Sequence, residues 1–309
     1  MYIRRLDDEA REAPSMTTNG IRILGGRGGL ALGSLLLALC LTGSGMRTAS
    51  SAVSRPVIQI DVPNARDTIV TGLNDANQVV GFTIDNSGKW RGFVLTQGVF
   101  STVPVPGPTL REAAFGINNG GRVVGAYSDA KGAHGFAQSG GAFSTIDFPG
   151  AVQTLAHGIN DHGDVVGWYD DGRRHGFVLV GGTFSPINVP SATGTEAMGI
   201  NAKGDIVGYF TDPSRREHGF LLSAGTFRTI DIAGAAGTEL LGINNTVQIV
   251  GYSVDPSGKE HAFEFDGGAL TPIDISNAAG VEAAGINSSG QIAGGYQDGA
   301  KRQHGFIRL

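Results

Sequence analysis

Residues 199–233 read GINAKGDIVGYFTDPSRREHGFLLSAGTFRTIDIA. Short runs rich in Val, Ile, Phe and Tyr, at residues 205–210, 218–222 and 226–232, alternate with clusters of Gly, Asn, Asp and Pro. That alternation is the chemistry of strands joined by tight turns. No apolar stripe of helical spacing runs through the stretch, so a helical unit is excluded. With the preceding segment, residues 195–200, counted as a strand, the unit holds four strands in about forty residues, the size of one blade of a β-propeller.

The same order recurs along the chain. Its opening triplet, Gly-Ile/Leu-Asn, stands at Gly72, Gly116, Gly158, Gly199, Gly242 and Gly285, at intervals of 41–44 residues. A β-helix needs much shorter turns, and leucine-rich or helical solenoids need other periods. The ends of the array give a separate indication. Residues 304–309 (HGFIRL) stop after a third strand, whereas residues 57–63 (VIQIDVP) match the fourth strand of the other units. An N-terminal strand that completes the last blade would close the ring and remove its open edges. The expected fold is therefore all-β, a six-bladed β-propeller with about four antiparallel strands per blade, spanning residues 53–309.

The first 52 residues read as an export segment. Arg22 and Arg27 precede the apolar run at residues 30–41 (LALGSLLLALCL), and a small, polar stretch follows to Ala52. These are the three regions of a secretory signal, with cleavage expected near Ala52 and Met16 an alternative start. The apolar run falls short of the roughly 20 residues of a spanning helix, so the mature chain is expected to carry no membrane span. Cys40 follows Leu39 where a lipoprotein signal would carry a small residue, so a lipid anchor is not expected. It is also the only cysteine, which leaves no disulfide to stabilise the secreted, extracellular form. The 50 glycines imply many tight turns, and a formal net charge of −5 with no basic stripe argues against nucleic acid as a partner. A monomer binding an extracellular ligand or protein is the expected form.

The units resemble the HAF-type extracellular repeat proteins of bacteria. His261, Ala262 and Phe263 carry the triplet that names that family, and His-Gly-Phe stands in its place at His134, His175, His218 and His304. The first unit departs, with Arg91, Gly92 and Phe93. The Gly-Ile-Asn and following Ile/Val-Val-Gly patterns also fit, and the resemblance covers residues 57–309. It implies export and a propeller-like fold, and it transfers no catalytic residues.

Five histidines at one repeat position suggest a metal, since imidazole is a common ligand. Equivalent positions on the third strand of successive blades point away from one another, so each histidine is expected to bond a neighbour within its own blade. The loop aspartates Asp129, Asp170, Asp212, Asp255 and Asp298 have the oxygen chemistry of calcium ligands. No unit shows the dense ladder of a calcium loop, so they read as turn residues, and no metal or other cofactor is required. Asn74, Asn118, Asn160, Asn201, Asn244 and Asn287 read as turn residues too.

The informative column is the one in which the units differ. Three residues before the triplet stand Ile69, Ala113, Leu155, Glu196, Glu239 and Glu282. If that segment is the inner strand, Glu196, Glu239 and Glu282 are expected near the mouth of the axial channel, with His157 and Trp168 as further ligand-binding candidates. The first functional reading is a secreted, non-enzymatic ligand-binding or protein-interaction module. The alternative is a propeller lyase or hydrolase on extracellular glycans, with the three glutamates as its acid/base set. No nucleophile elbow, zinc-protease helix or phosphate loop is present.

Overall fold

The computed structural model describes residues 55–309. The export segment, with Met16, Cys40 and the cleavage position near Ala52, lies outside the described residues. Every regular element among those described is a β-strand, and none is a helix able to cross a membrane.

Twenty-four strands form six separate four-stranded antiparallel sheets, the blades of a six-bladed β-propeller. Blade 4 shows the pattern: Gly194–Ile200 innermost, then Ile206–Thr211, Glu217–Ser223 and Thr226–Ile230. Blade 6 draws on both ends of the chain. Val57–Ile60 pairs antiparallel with Gln303–Arg308, in the register Val57 to Arg308 and Ile60 to Gly305, as the fourth strand of that sheet. A further backbone bond from Leu309 N–H to the Pro56 carbonyl extends the pairing.

The Phe of each His-Gly-Phe or equivalent triplet is buried, and the middle residue explains why it must be small. A Cβ at Gly219 would lie 2.7 Å from the Leu240 side chain of the next blade, and one at Gly305 would lie 2.3 Å from Val70 across the closing seam. The third strand therefore leaves room for the neighbour's inner strand. Where the opposing residue is itself small, at Ala283, the position accepts Ala262, and both pack in one cluster. Each inner strand carries a β-bulge just before the triplet glycine, as between Ala197 and Gly199. Opposite the bulge, a Cβ on Gly208 would come within 2.0 Å of the Glu196 carbonyl, so that position must be glycine.

The turns after the triplet build a feature that the single units do not reveal. Asn74 Oδ1 accepts from the N–H groups of Ala76 and Gln78, which closes its own turn. Its Nδ2 donates across the seam to the Asn118 carbonyl at 3.0 Å. Asn118 does the same to Asn160, Asn160 to Asn201, Asn201 to Asn244, and Asn244 to Asn287, at 3.1–3.2 Å. Asn287 returns to Asn74 at 3.3 Å. Six buried asparagines thus form a closed belt of hydrogen bonds around the axis, beyond the turn role expected of them. Only an amide serves here, because it must accept within its turn and donate outside it.

The third residue after each belt asparagine has positive φ, and glycine holds that place in four blades. Blade 5 has Val247 there at φ 66°, a strained conformation for a β-branched residue.

Candidate functional site

Inside the belt lies an axial pocket of 130 Å3, lined by five consecutive residues from each inner strand and its turn. Its rim is the column just after the belt: Asp75, Asn119, Asp161, Ala202, Asn245 and Ser288. Rim side chains take up the N–H of the preceding blade where they can. Asn119 N–H donates to Asp161 Oδ1 at 2.9 Å, Ala202 N–H to Asn245 Oδ1 at 2.8 Å and Ser288 N–H to Asp75 Oδ1 at 2.8 Å. Asn119 Nδ2 bridges the Asp75 and Asp161 carboxylates, at 2.9 Å to each. This second tier is broken at Ala202, which has no polar side chain to offer.

Deeper in the pocket the triplet glycines form a collar. A Cβ on Gly158 would meet the Met198 carbonyl at 2.7 Å and the Gly199 Cα at 3.1 Å, so the inner strands touch through their backbones. Below the collar the bulge residues Thr71, Phe115, His157, Met198, Leu241 and Ala284 line the floor. The His157 ring stacks on Phe115 with centroids 4.5 Å apart. Burial, and secondarily the charge of Arg174, lower the His157 pKa to about 3, so the imidazole is neutral in ordinary solution.

The glutamates lie elsewhere. Glu196, Glu239 and Glu282 do not line the axial pocket and do not converge on one another at its mouth. Their side chains belong to the seams between blades, because the bulge below them, and not their own position, turns a residue toward the axis. Glu196 is buried and accepts from Arg174 Nη1 of blade 3 at 2.6 Å and from the Tyr209 hydroxyl at 2.5 Å. Arg174 in turn lies over the Trp168 ring, 4.6 Å from its centroid, and Trp168 is fully buried. Glu239 is buried beside Tyr252, whose hydroxyl is held well above its ordinary pKa by burial and by the carboxylates of Glu239 and Glu282. Glu282 lines a cavity of 100 Å3 in the seam of blades 5 and 6, together with Glu260, Gln303 and Gly295. Burial, then the nearby Glu282, raises the pKa of Glu260.

The repeated histidines sit in their own blades, near the outer strands. His218 Nδ1 lies 2.8 Å from Asp231 and its Nε2 lies 3.3 Å from Asp212. His304 bridges Asp61 and Asp298 in the same way, tying the first strand of the chain to the last blade. In blade 3 Asp170 accepts from Gly172 N–H as a turn residue, and the loop carboxylate beside His175 Nε2 is Asp171, at 3.3 Å. Asp212 is held down to about 2, first by the Ser214 hydroxyl and then by the Arg216 N–H. Among the described residues no group of three or more His, Cys, Asp and Glu side chains is disposed to hold a metal ion.

The chain matches no family model and no curated protein sequence. Solved structures do share its fold. The SapL1 lectin in complex with α-methyl fucoside superposes with a TM-score of 0.55 at 14% identity, covering 79% of this chain and 94% of that one. The fucose-specific lectin from Aleuria aurantia gives a TM-score of 0.53 at 13% identity, covering 80% and 94%. A triple-arginine mutant of AofleA from Arthrobotrys oligospora gives 0.52 at 14% identity, covering 83% and 87%. At this identity the likeness is one of fold.

The sequence singled out His157 as a ligand-binding candidate without placing it on the axial floor, and it did not single out the rim residues Asp75, Asn119 and Asp161. Their signal was present as a variable column directly beside the invariant belt asparagine. It also missed Arg174, whose role depends on a partner in the next blade.

Proposed function

We propose that this is a secreted, non-enzymatic, ligand-binding propeller of the HAF-repeat type, and that its axial pocket takes a small hydroxyl-bearing ligand, neutral or cationic. One observation carries this reading. The pocket has a polar rim with two carboxylates and no Lys or Arg among its lining residues. Such a rim attracts neutral and cationic groups and repels anions. Its volume of 130 Å3 is close to the roughly 150 Å3 of an engineered cavity that admits a six-membered ring. Asp161 has acceptor capacity to spare, since its side chain receives only Asn119 and stands next to the gap at Ala202. The sugar ligands named for the lectins of the same fold make glycosides the first compounds to test.

Calorimetric titration of the purified protein with methyl α-fucoside, methyl α-glucoside, glucosamine and glucuronate is the test. Binding of the neutral and cationic sugars, with glucuronate weaker by about tenfold or more, is expected. Asp161→Asn should weaken glucosamine more than the neutral glycosides. Equal binding of glucuronate and glucosamine would refute the assignment. Export is checked by the N-terminal sequence of the secreted protein, expected to begin near Val53.

The glycan-cleaving alternative is favoured by one feature, the Glu260 and Glu282 pair in its seam cavity. A carboxyl group whose pKa is raised, standing beside a second carboxyl group, is an arrangement used in glycoside hydrolysis. Turnover of chromogenic glycosides that disappears in Glu260→Gln would establish it.

A further inference from the structure

We infer that the break in the rim at Ala202 is where the axial pocket reads its ligand, and that a pair of adjacent neutral hydroxyls takes the place of the missing side chain. This rests on the axial pocket being the ligand site.

The intact part of the rim shows what the missing side chain would do. Asn119 Oδ1 accepts from the Asp75 N–H at 2.8 Å, and its Nδ2 donates to the Asp75 carboxylate at 2.9 Å. One amide therefore answers both the N–H and the carboxylate of the rim residue in the preceding blade. Asp75 answers Ser288 in the same way, accepting from its N–H at 2.8 Å and from its hydroxyl at 3.0 Å. Ala202 stands in the equivalent place for Asp161 and offers only a methyl group. The joint from Asn245 to Ser288 is different, since Ser288 keeps a polar side chain there and directs it to Asp75.

Three groups are left open around that place. The Asp161 N–H has no hydrogen-bond partner among the described residues. The Asp161 carboxylate receives only the N–H and Nδ2 of Asn119, which leaves lone pairs unused. On the far side Asn245 is oriented by its Oδ1, which accepts from the Ala202 N–H at 2.8 Å. Its Nδ2, the group that Asn119 gives to the preceding rim side chain, finds none at Ala202. Asp161, Ala202 and Asn245 all line the pocket, and Asp161 is exposed, so a ligand reaches these groups without moving the protein. The set selects by function. A carboxylate has no proton for Asp161 and is repelled by its charge, and an ammonium has no lone pair for the N–H groups. Asn119 uses one accepting and one donating atom side by side. Two adjacent hydroxyls present the same pair, and their remaining lone pairs meet Asn245 Nδ2. A primary carboxamide shares this chemistry and serves as a second probe.

The test is NMR titration of the 15N-labelled protein with trans-cyclohexane-1,2-diol, cyclohexanecarboxamide, cyclohexanol and cyclohexanecarboxylate. The diol and the carboxamide should shift the Asp161 backbone amide and the Asn245 side-chain amide, and the other two should bind more weakly by about tenfold or more. Ala202→Asn supplies the missing side chain. It should protect the Asp161 N–H from hydrogen exchange and weaken the diol by about tenfold or more. Adding Asn119→Ala to that variant moves the break to Asp75 and should bring back part of the binding, with the shift now at the Asp75 amide. Thermal melting identifies any variant that fails to fold. Shifts at Asp75 and Asn119 of the wild type in place of Asp161 and Asn245, undiminished binding at the rim of Ala202→Asn, or cyclohexanol bound as tightly as the diol would overturn the role of the break and leave the pocket assignment standing. Shifts confined to residues outside the pocket, or no binding of these probes and of the glycosides, would overturn the pocket assignment and this inference together.

Discussion

The seams between blades 3 and 4 and between blades 5 and 6 are built at the same repeat positions and have opposite electrostatics. In the first, Glu196 meets Arg174 and is capped by Tyr209. In the second, the arginine position is Glu260, the tyrosine position is Gly295, and Glu282 faces a cavity. A propeller seam evidently tolerates either a closed ion pair or an open acidic cleft without change of fold, because the load is carried by the glycine-to-apolar packing beneath. The variable column is thus free to differentiate the blades.

That comparison can be broken most severely at the closed seam. Arg174→Ala would strand the buried Glu196 carboxylate and should cost about 3–5 kcal/mol in chemical denaturation. Tyr209→Phe removes one hydrogen bond to the same carboxylate and should cost about 1.5–3 kcal/mol, additive with mutations in the other seam but not with Arg174→Ala.

At the open seam the sign reverses. The folded-state pKa of Glu260 is raised, so its contribution to stability is present below the unfolded value and is lost as pH rises through the folded one. Glu260→Gln should therefore raise Tm at pH 7 by about 2 °C and leave it unchanged near pH 3, where the wild-type carboxyl is already protonated. An equal shift at both pH values would show that the charge is not the cause.

The smallest effect belongs to the outer loops, which are common to both seams. Asp212 has a depressed pKa of about 2, so its contribution is present above the unfolded carboxylate value and is lost as pH falls toward 2. Asp212→Asn should flatten that part of the acid limb of a pH-melting profile, with little change at pH 7.

The ring was legible in the sequence because closure leaves a signature at both ends: residues 57–63 supply the strand that residues 304–309 lack. Blade boundaries were legible for the same reason that the strands form, since each unit repeats turn residues at fixed offsets. The site was legible only in part. Counting back from the triplet located Glu196, Glu239 and Glu282 on the inner strand, yet the β-bulge between that position and the glycine turns the bulge residue, His157 among them, toward the axis. A bulge is set by backbone pairing with Gly81 and its equivalents, and no side-chain pattern announces it. Partners across a seam, such as Arg174 for Glu196, are 22 residues apart and become neighbours only when blades stack.

The closing strand has a practical consequence for handling the molecule. Pro56 and Leu309 are hydrogen-bonded to each other on the outermost part of blade 6. A biotin or fusion handle attached after Leu309 therefore leaves from the two outer strands of blade 6 and not from the inner strands that line the axial pocket. The same adjacency makes blade 6 the natural place to join the domain's ends, so that new termini opened in another outer loop would test whether the ring needs this particular clasp or only a clasp somewhere.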